Sequence, residues 1–76
     1  MPSAKYKSSI KSRVGKLRDI ALSSRNTYSE RMRAIDLLGQ LHDNAYDELA
    51  DIAVNGLSYS ERMNALELLE KIVGKT

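Results

Sequence analysis

An internal repeat constrains this chain more than any other feature of its sequence. The segment YSERMRAIDLLGQL at 28–41 recurs as YSERMNALELLEKI at 59–72, with identical residues at eight of the fourteen positions. The similarity continues upstream, because LRDIAL at 17–22 matches LADIAV at 49–54. Each unit therefore spans 31 to 32 residues and contains two segments, as solenoid repeats do. We predict a single domain with repeat 1 over about 7–41, repeat 2 over about 44–73, and a flexible 1–6.

Both segments of each unit have the apolar periodicity of helices. The second segments carry apolar residues at every third position: Met32, Ile35, Leu38 and Leu41, and then Met63, Leu66, Leu69 and Ile72. Capping boxes at Thr27-x-x-Glu30 and Ser58-x-x-Glu61 predict where these two helices begin. The first helix is expected over about 7–23, with this buried stripe: Tyr6, Ile10, Val14, Leu17 and Ala21.

The ends of the helices carry their own signals. The third helix is expected over 44–54 and to end at Asn55-Gly56, where the glycine suits a left-handed C-terminal cap. Gly74 can cap the last helix in the same way. His42 is interpreted as a turn residue after Leu41, since a polar residue accepts the left-handed conformation.

Short motifs within the repeats resemble a known family. RxxAxxLLGxLxD at 31–43 and RxxAxxLL at 62–69, together with LADIA at 49–53, are similar to the HEAT-like repeats, including the short form in phycobilin-lyase-type proteins. The resemblance covers roughly 17–73, although Glu70 stands where the first repeat has Gly39. It implies an all-α fold of four antiparallel helices that form two stacked helix-pair repeats. It also implies a scaffold that binds proteins, or less often nucleic acid, without catalytic chemistry.

The size of the chain bears on this architecture. Repeat stacks need about three units with polar outer faces before the burial between neighbours is sufficient, and this chain of 76 residues has two. Either the long first helix caps the stack, or a protein partner or second copy covers an apolar edge. The candidate protein contacts are Leu57, Leu68 and Val73.

Charge is divided unequally between the two halves. Residues 1–33 contain nine Lys and Arg against two acids, and residues 34–76 contain three against eight, so the net charges are +7 and −5. The basic half could bind phosphate or an acidic partner, pair with the acidic stripe Asp43, Asp47 and Asp51, or be a solvated face. Its candidate contacts are Lys5, Lys7, Lys11, Arg13, Lys16, Arg18, Arg25 and Arg33.

Groups for catalysis are scarce. The chain has one His and no Cys, so neither a Cys–His pair nor a multi-His metal site can be assembled within it. Two pairs of equivalent residues are expected to be structural. We expect the rings of Tyr28 and Tyr59 to pack on the preceding helix. We expect Arg31 and Arg62 each to pair with a neighbouring carboxylate or to cover apolar surface. No catalytic residue, metal or cofactor is predicted.

The sequence favours a non-catalytic protein–protein interaction or scaffold module. The alternative is a nucleic-acid-binding protein that uses the basic N-terminal helix. No apolar run approaches the ~20 residues that a bilayer needs, and we expect a cytoplasmic protein without a membrane partner.

Overall fold

The computed structural model describes the backbone of residues 2–74 and the side chains of residues 10–74. In this part of the chain the helices are α1 (Pro2–Leu22), α2 (Tyr28–Gln40), α3 (Tyr46–Asn55) and α4 (Tyr59–Gly74), with a 3-10 turn at His42–Ala45. The helices α1 and α2 form one pair and α3 and α4 the other, while α1 also packs on α3 and α2 on α4. The predicted all-α fold of two stacked antiparallel pairs is confirmed.

The core lies where all four helices meet. Its buried apolar members are Val14, Ala21, Ala34, Ile35, Leu38, Ala45, Leu49, Ile52, Ala65 and Ile72. Both repeats contribute to this one cluster, so neither helix pair has a separate core. Packing within each pair and stacking between the pairs therefore bury one shared core.

The first helix is longer than predicted at its N-terminal end. It begins at Pro2 and not near residue 7, so residues 2–6 are helical. Proline suits a first helical turn, because its φ is already helical and its missing N–H would have no partner there. Ile10 is 47% exposed, contrary to the predicted stripe, since α1 has 21 residues and its partner α2 only 13. The expected burial of Tyr6 lies outside the described side chains.

Two of the expected helix ends differ from the structure. His42 has a φ of 51°, as predicted for the residue that ends α2. Gly56 has φ −55° and ψ 148°, and none of the described glycines, Gly74 included, has a positive φ, so the predicted left-handed glycine caps are wrong. Gly56 is instead needed for a close approach, because a Cβ there would lie 2.7 Å from the carbonyl oxygen of Ile52.

A second glycine sets the distance between α2 and α4. A Cβ on Gly39 would lie 2.7 Å from Cδ2 and 2.9 Å from Cδ1 of Leu68, which is closer than such atoms approach in folded proteins. The missing side chain therefore lets Leu68 pack directly on the backbone of α2. The contact belongs to the interface between the repeats.

Gly39→Ala and Gly15→Ala make the same chemical change in two different surroundings. Alanine at Gly15 meets nothing within 4 Å, so we expect the gain of up to about 1 kcal/mol that alanine brings inside a helix. At Gly39 the displaced Leu68 should cancel that gain, leaving the variant about 1–2 kcal/mol less stable than Gly15→Ala. Urea unfolding of both variants measures the difference. Equal stabilisation would show that Leu68 moves without cost.

Candidate interaction surfaces

A buried ion pair joins α2 of repeat 1 to α4 of repeat 2. The guanidinium of Arg31 on α2 donates to both carboxylate oxygens of Glu61 on α4, with Nε–Oε1 at 2.7 Å and Nη2–Oε2 at 3.2 Å. The Ser58 hydroxyl donates to the same Oε2 at 2.6 Å. The Glu61 side chain is completely buried and that of Arg31 is 14% exposed. Such two-pronged contacts are among the strong hydrogen bonds of proteins, and this one holds α4 against α2.

These hydrogen bonds also determine the charge state of the pair. The hydrogen bond from Arg31 lowers the pKa of Glu61 below its ordinary value of 4.5, against the effect of burial, and the Ser58 hydroxyl lowers it further. The same contact raises the pKa of Arg31. Glu61 is therefore ionised at neutral pH although it is buried. Among the described side chains, no buried nitrogen or oxygen lacks a hydrogen-bond partner.

The equivalent glutamate in repeat 1 does something else. Glu30 is exposed, and its carboxylate accepts a 2.8 Å hydrogen bond from the Thr27 amide in the predicted capping box. The second predicted box is half formed: the Glu61 amide donates to the Ser58 hydroxyl at 3.3 Å, while the carboxylate turns to Arg31. A charged partner outcompetes a backbone amide for that carboxylate.

Arg62, the equivalent of Arg31, repeats half of its contacts. Arg31 donates through Nη1 to the carbonyl of Asn26, and Arg62 donates through Nη1 to the carbonyl of Gly56 at 2.8 Å. Each arginine thus ties its helix to the connector that precedes it. The described side chains form three ion pairs, and Arg62 takes part in none of them. The predicted pairing with a carboxylate on a neighbouring helix is confirmed for Arg31.

Two more hydrogen bonds cross between the repeats. The Tyr28 hydroxyl lies 2.9 Å from the Ser60 hydroxyl, and Nδ2 of Asn64 donates to Oδ1 of Asp36 at 3.1 Å. Tyr28 therefore reaches forward to repeat 2, where the sequence suggested packing on the preceding helix. Its equivalent, Tyr59, is 70% exposed.

The outer side of repeat 1 is an open groove of about 460 Å³, which we call the leading face. Its lining includes Leu17, Ile20, Ser29, Glu30, Arg33 and Leu37. The last four are the repeat-1 equivalents of residues with which repeat 2 contacts repeat 1: Ser60, Glu61, Asn64 and Leu68. Ile20 is 39% exposed, whereas its equivalent Ile52 is fully buried. The leading face thus has the composition of an internal repeat interface, without its cover.

The outer side of repeat 2 has the opposite set of residues, and we call it the trailing face. It comprises Tyr59, Arg62, Leu66, Glu67 and Glu70, the equivalents of Tyr28, Arg31, Ile35, Asp36 and Gly39. Ile35 is fully buried under repeat 2, but Leu66 is 43% exposed. The trailing face is therefore the counterpart of the surface on which repeat 2 itself packs.

The predicted basic contacts differ in exposure and in their neighbours. Lys11, Arg13, Lys16 and Arg25 are exposed, while Arg33 lies in the groove of the leading face. Arg18 pairs with Asp19 (Nη2–Oδ1, 3.4 Å) and with Asp51 on α3 (Nη1–Oδ2, 3.5 Å). One ion pair between the basic first helix and the acidic stripe therefore forms. The predicted contacts Lys5 and Lys7 fall outside the described side chains.

The predicted apolar contacts are also divided. Leu57 and Val73 are exposed, but Leu68 is partly buried over Gly39. Leu68 therefore belongs to the interface between the repeats. The sequence reading missed the positions that distinguish the two outer faces, chiefly Ile20 and Leu66. These positions could have been found by comparing each residue with its equivalent in the other repeat, because only one of the two equivalents faces a neighbouring helix pair.

The described residues contain no group of three or more His or acidic side chains placed to hold a metal ion. No helix within them has both the length and the apolar content to cross a membrane.

Glu61→Gln and Glu30→Gln should have very different effects on stability. A neutral amide at 61 leaves the partly buried Arg31 without its counter-charge, so we expect a loss of roughly 2 kcal/mol. Glutamine at 30 still completes a capping box, so the loss there should stay below about 0.5 kcal/mol. Urea unfolding at pH 7 checks both. Similar losses of stability in the two variants would contradict the conclusion that the Arg31–Glu61 pair stabilises the stack.

The contribution of Glu61 should depend on pH in a defined direction. Because its pKa is lowered on folding, the stabilisation is complete above the ordinary value of 4.5 and is lost as the pH falls through the lower pKa of the folded state. The stability difference between the wild-type chain and Glu61→Gln should therefore be constant between pH 6 and 7 and narrow below about pH 4.5. A difference that widened in acid would refute the assignment.

Comparison with known proteins assigns the chain to no family. No family model, no curated protein and no solved structure matches it. The resemblance to the HEAT-like repeats stays a prediction, and the two outer faces carry what can be said about function.

Proposed function

We propose that this chain is a non-catalytic protein-interaction module of two HEAT-like repeats, acting in the cytoplasm, which binds protein through its outer faces. The observation that carries the proposal is the leading face. Four of its α2 residues have equivalents in α4 that contact another helix pair, and the equivalent of Ile20 is fully buried there. A surface with this content is suited to a helical protein partner.

The chemistry of the groove supports the same conclusion. Ile20 and Leu37 are large apolar side chains, 39% and 41% exposed, and they lie beside Glu30 and Arg33. An apolar floor with charges at its edge is the usual composition of a protein interface. The trailing face repeats it, with Leu66 beside Arg62 and Glu67.

Site-specific photo-crosslinking tests the proposal in cells. A photoreactive residue at Ser29, in the groove, should give protein adducts, whereas one at Asp43, on the exposed 3-10 turn, should give far fewer. Adding Ile20→Asp should remove the Ser29 adducts, because a charge in the apolar floor opposes docking. Thermal unfolding of the Ile20→Asp variant confirms that it folds. Equal adducts at both positions, or no effect of Ile20→Asp, would count against protein binding.

Nucleic-acid binding is a second candidate, supported by the exposure of Lys11, Arg13 and Lys16 along α1. Displacement of counterions by these groups would favour phosphate irrespective of base sequence. These three exposed side chains supply positive charge for this role. Arg18, on the same helix, forms an ion pair with Asp51 of α3.

An oligonucleotide titration over a salt series tests this second candidate. With four to six phosphate contacts, log affinity should fall with log salt at a slope of about −4 to −5. Lys16→Ala should reduce the magnitude of the slope by about 1, whereas Lys71→Ala, on the acidic half, should leave it unchanged. Absence of binding at low salt removes this candidate.

A further inference from the structure

The contacts between the two repeats indicate which kind of surface the leading and trailing faces could bind, and we use them as a template. The Arg18–Asp51 ion pair crosses the interface between α1 and α3. Three further polar contacts cross it between α2 and α4: Arg31 to Glu61, Tyr28 to Ser60, and Asp36 to Asn64. Each of these three contacts has a repeat-1 member whose equivalent lies on the trailing face and a repeat-2 member whose equivalent lies on the leading face. The same set of contacts can therefore be repeated at either outer face of the stack.

Resting on the proposed role as a protein-interaction module, we propose that the occupant of these faces is a second copy of this chain. The trailing face of one copy docks on the leading face of the next, in the same arrangement by which repeat 2 docks on repeat 1.

Continuing the template gives complementary charges at two of these three α2–α4 positions. Arg62 of one copy meets Glu30 of the next, as Arg31 meets Glu61 inside the chain. Glu67 of one copy meets Arg33 of the next, so the internal hydrogen bond between Asp36 and Asn64 becomes an ion pair. Opposite charges at both positions favour this docking and disfavour like-to-like pairing of either face.

The net charges of the two halves act in the same direction. The leading side belongs to the half with a net charge of +7 and the trailing side to the half with −5. Two copies therefore attract each other head to tail and repel each other head to head. The apolar residues match as well, because Ile20 and Leu66 are exposed at the ends whereas their equivalents Ile52 and Ile35 are fully buried inside.

The template differs at the position of Gly39, and this difference weakens the contact. Leu68 packs on Gly39 inside the chain, but the corresponding Leu37 of the next copy would meet Glu70. A side chain at that position forces Leu37 to shift, so the contact between copies is weaker than the internal one. Glu70 thereby keeps the assembly reversible, as the polar outer face of a terminal repeat does.

The geometry also determines how the assembly grows. Leading and trailing faces are different surfaces, so each docked copy leaves one of each free. Such a contact adds copies in a row and does not stop at a symmetric dimer.

Sedimentation velocity of this 76-residue chain over a concentration series tests the proposal. The mean sedimentation coefficient should rise continuously with concentration. Glu70→Gly should strengthen the association about tenfold or more, because it restores the close approach seen at Gly39. A chain that stays monomeric, both as wild type and as Glu70→Gly, overturns the proposal.

Charge reversal identifies the surfaces. Arg33→Glu and Glu67→Arg each place like charges opposite one another, so each variant alone should associate at least about tenfold more weakly. Mixing the two variants, or combining both changes in one chain, pairs the reversed charges and should restore association. Asp43→Arg, outside both faces, is the matched control and should leave it unchanged. Single variants that associate normally, or a mixture that does not recover, overturn the proposal.

The two proposals fail separately. A monomeric chain whose Ser29 adducts contain a different protein overturns self-association and leaves the interaction module intact. A chain that gives no groove-dependent adduct and does not associate overturns both.

Discussion

The buried pair of Arg31 and Glu61 is the contact on which the stacking of the two repeats depends. A buried carboxylate is costly without a matched partner, and here the guanidinium and the Ser58 hydroxyl both donate to it. The pair can form only when α4 lies in one position along α2. The close approach of Leu68 to Gly39 requires the same position of α4. Polar and apolar contacts therefore favour one alignment of α4 along α2.

The same stacking leaves each repeat with one uncovered side. Ile20 and Leu66 are exposed for the same reason that Ile52 and Ile35 are buried, namely that a neighbouring repeat is present on one side only. In a longer solenoid these end surfaces are a small share of the molecule. With two repeats they are a larger share of the molecule, because burial between neighbouring repeats occurs at one interface only.

Two acidic residues show how one repeat position can act in opposite ways. Glu61 is an internal anchor, whereas Glu30 caps α2 and remains open to a partner's arginine. Glu70 replaces the glycine that permits close stacking and so weakens the continuation of the stack. The ends are therefore complementary in charge but not identical in fit to the internal interface.

The sequence by itself determined the helices, the two-repeat organisation, the Thr27 cap and the left-handed His42, because periodicity and capping are local properties of the chain. Only the tertiary structure decided that Glu61 is buried and Glu30 is exposed, although both stand in the same YSER motif. The physical reason is that the environment of each glutamate depends on which side of its helix pair another pair occupies. No local pattern contains that information, and the difference between the two outer faces arises from it.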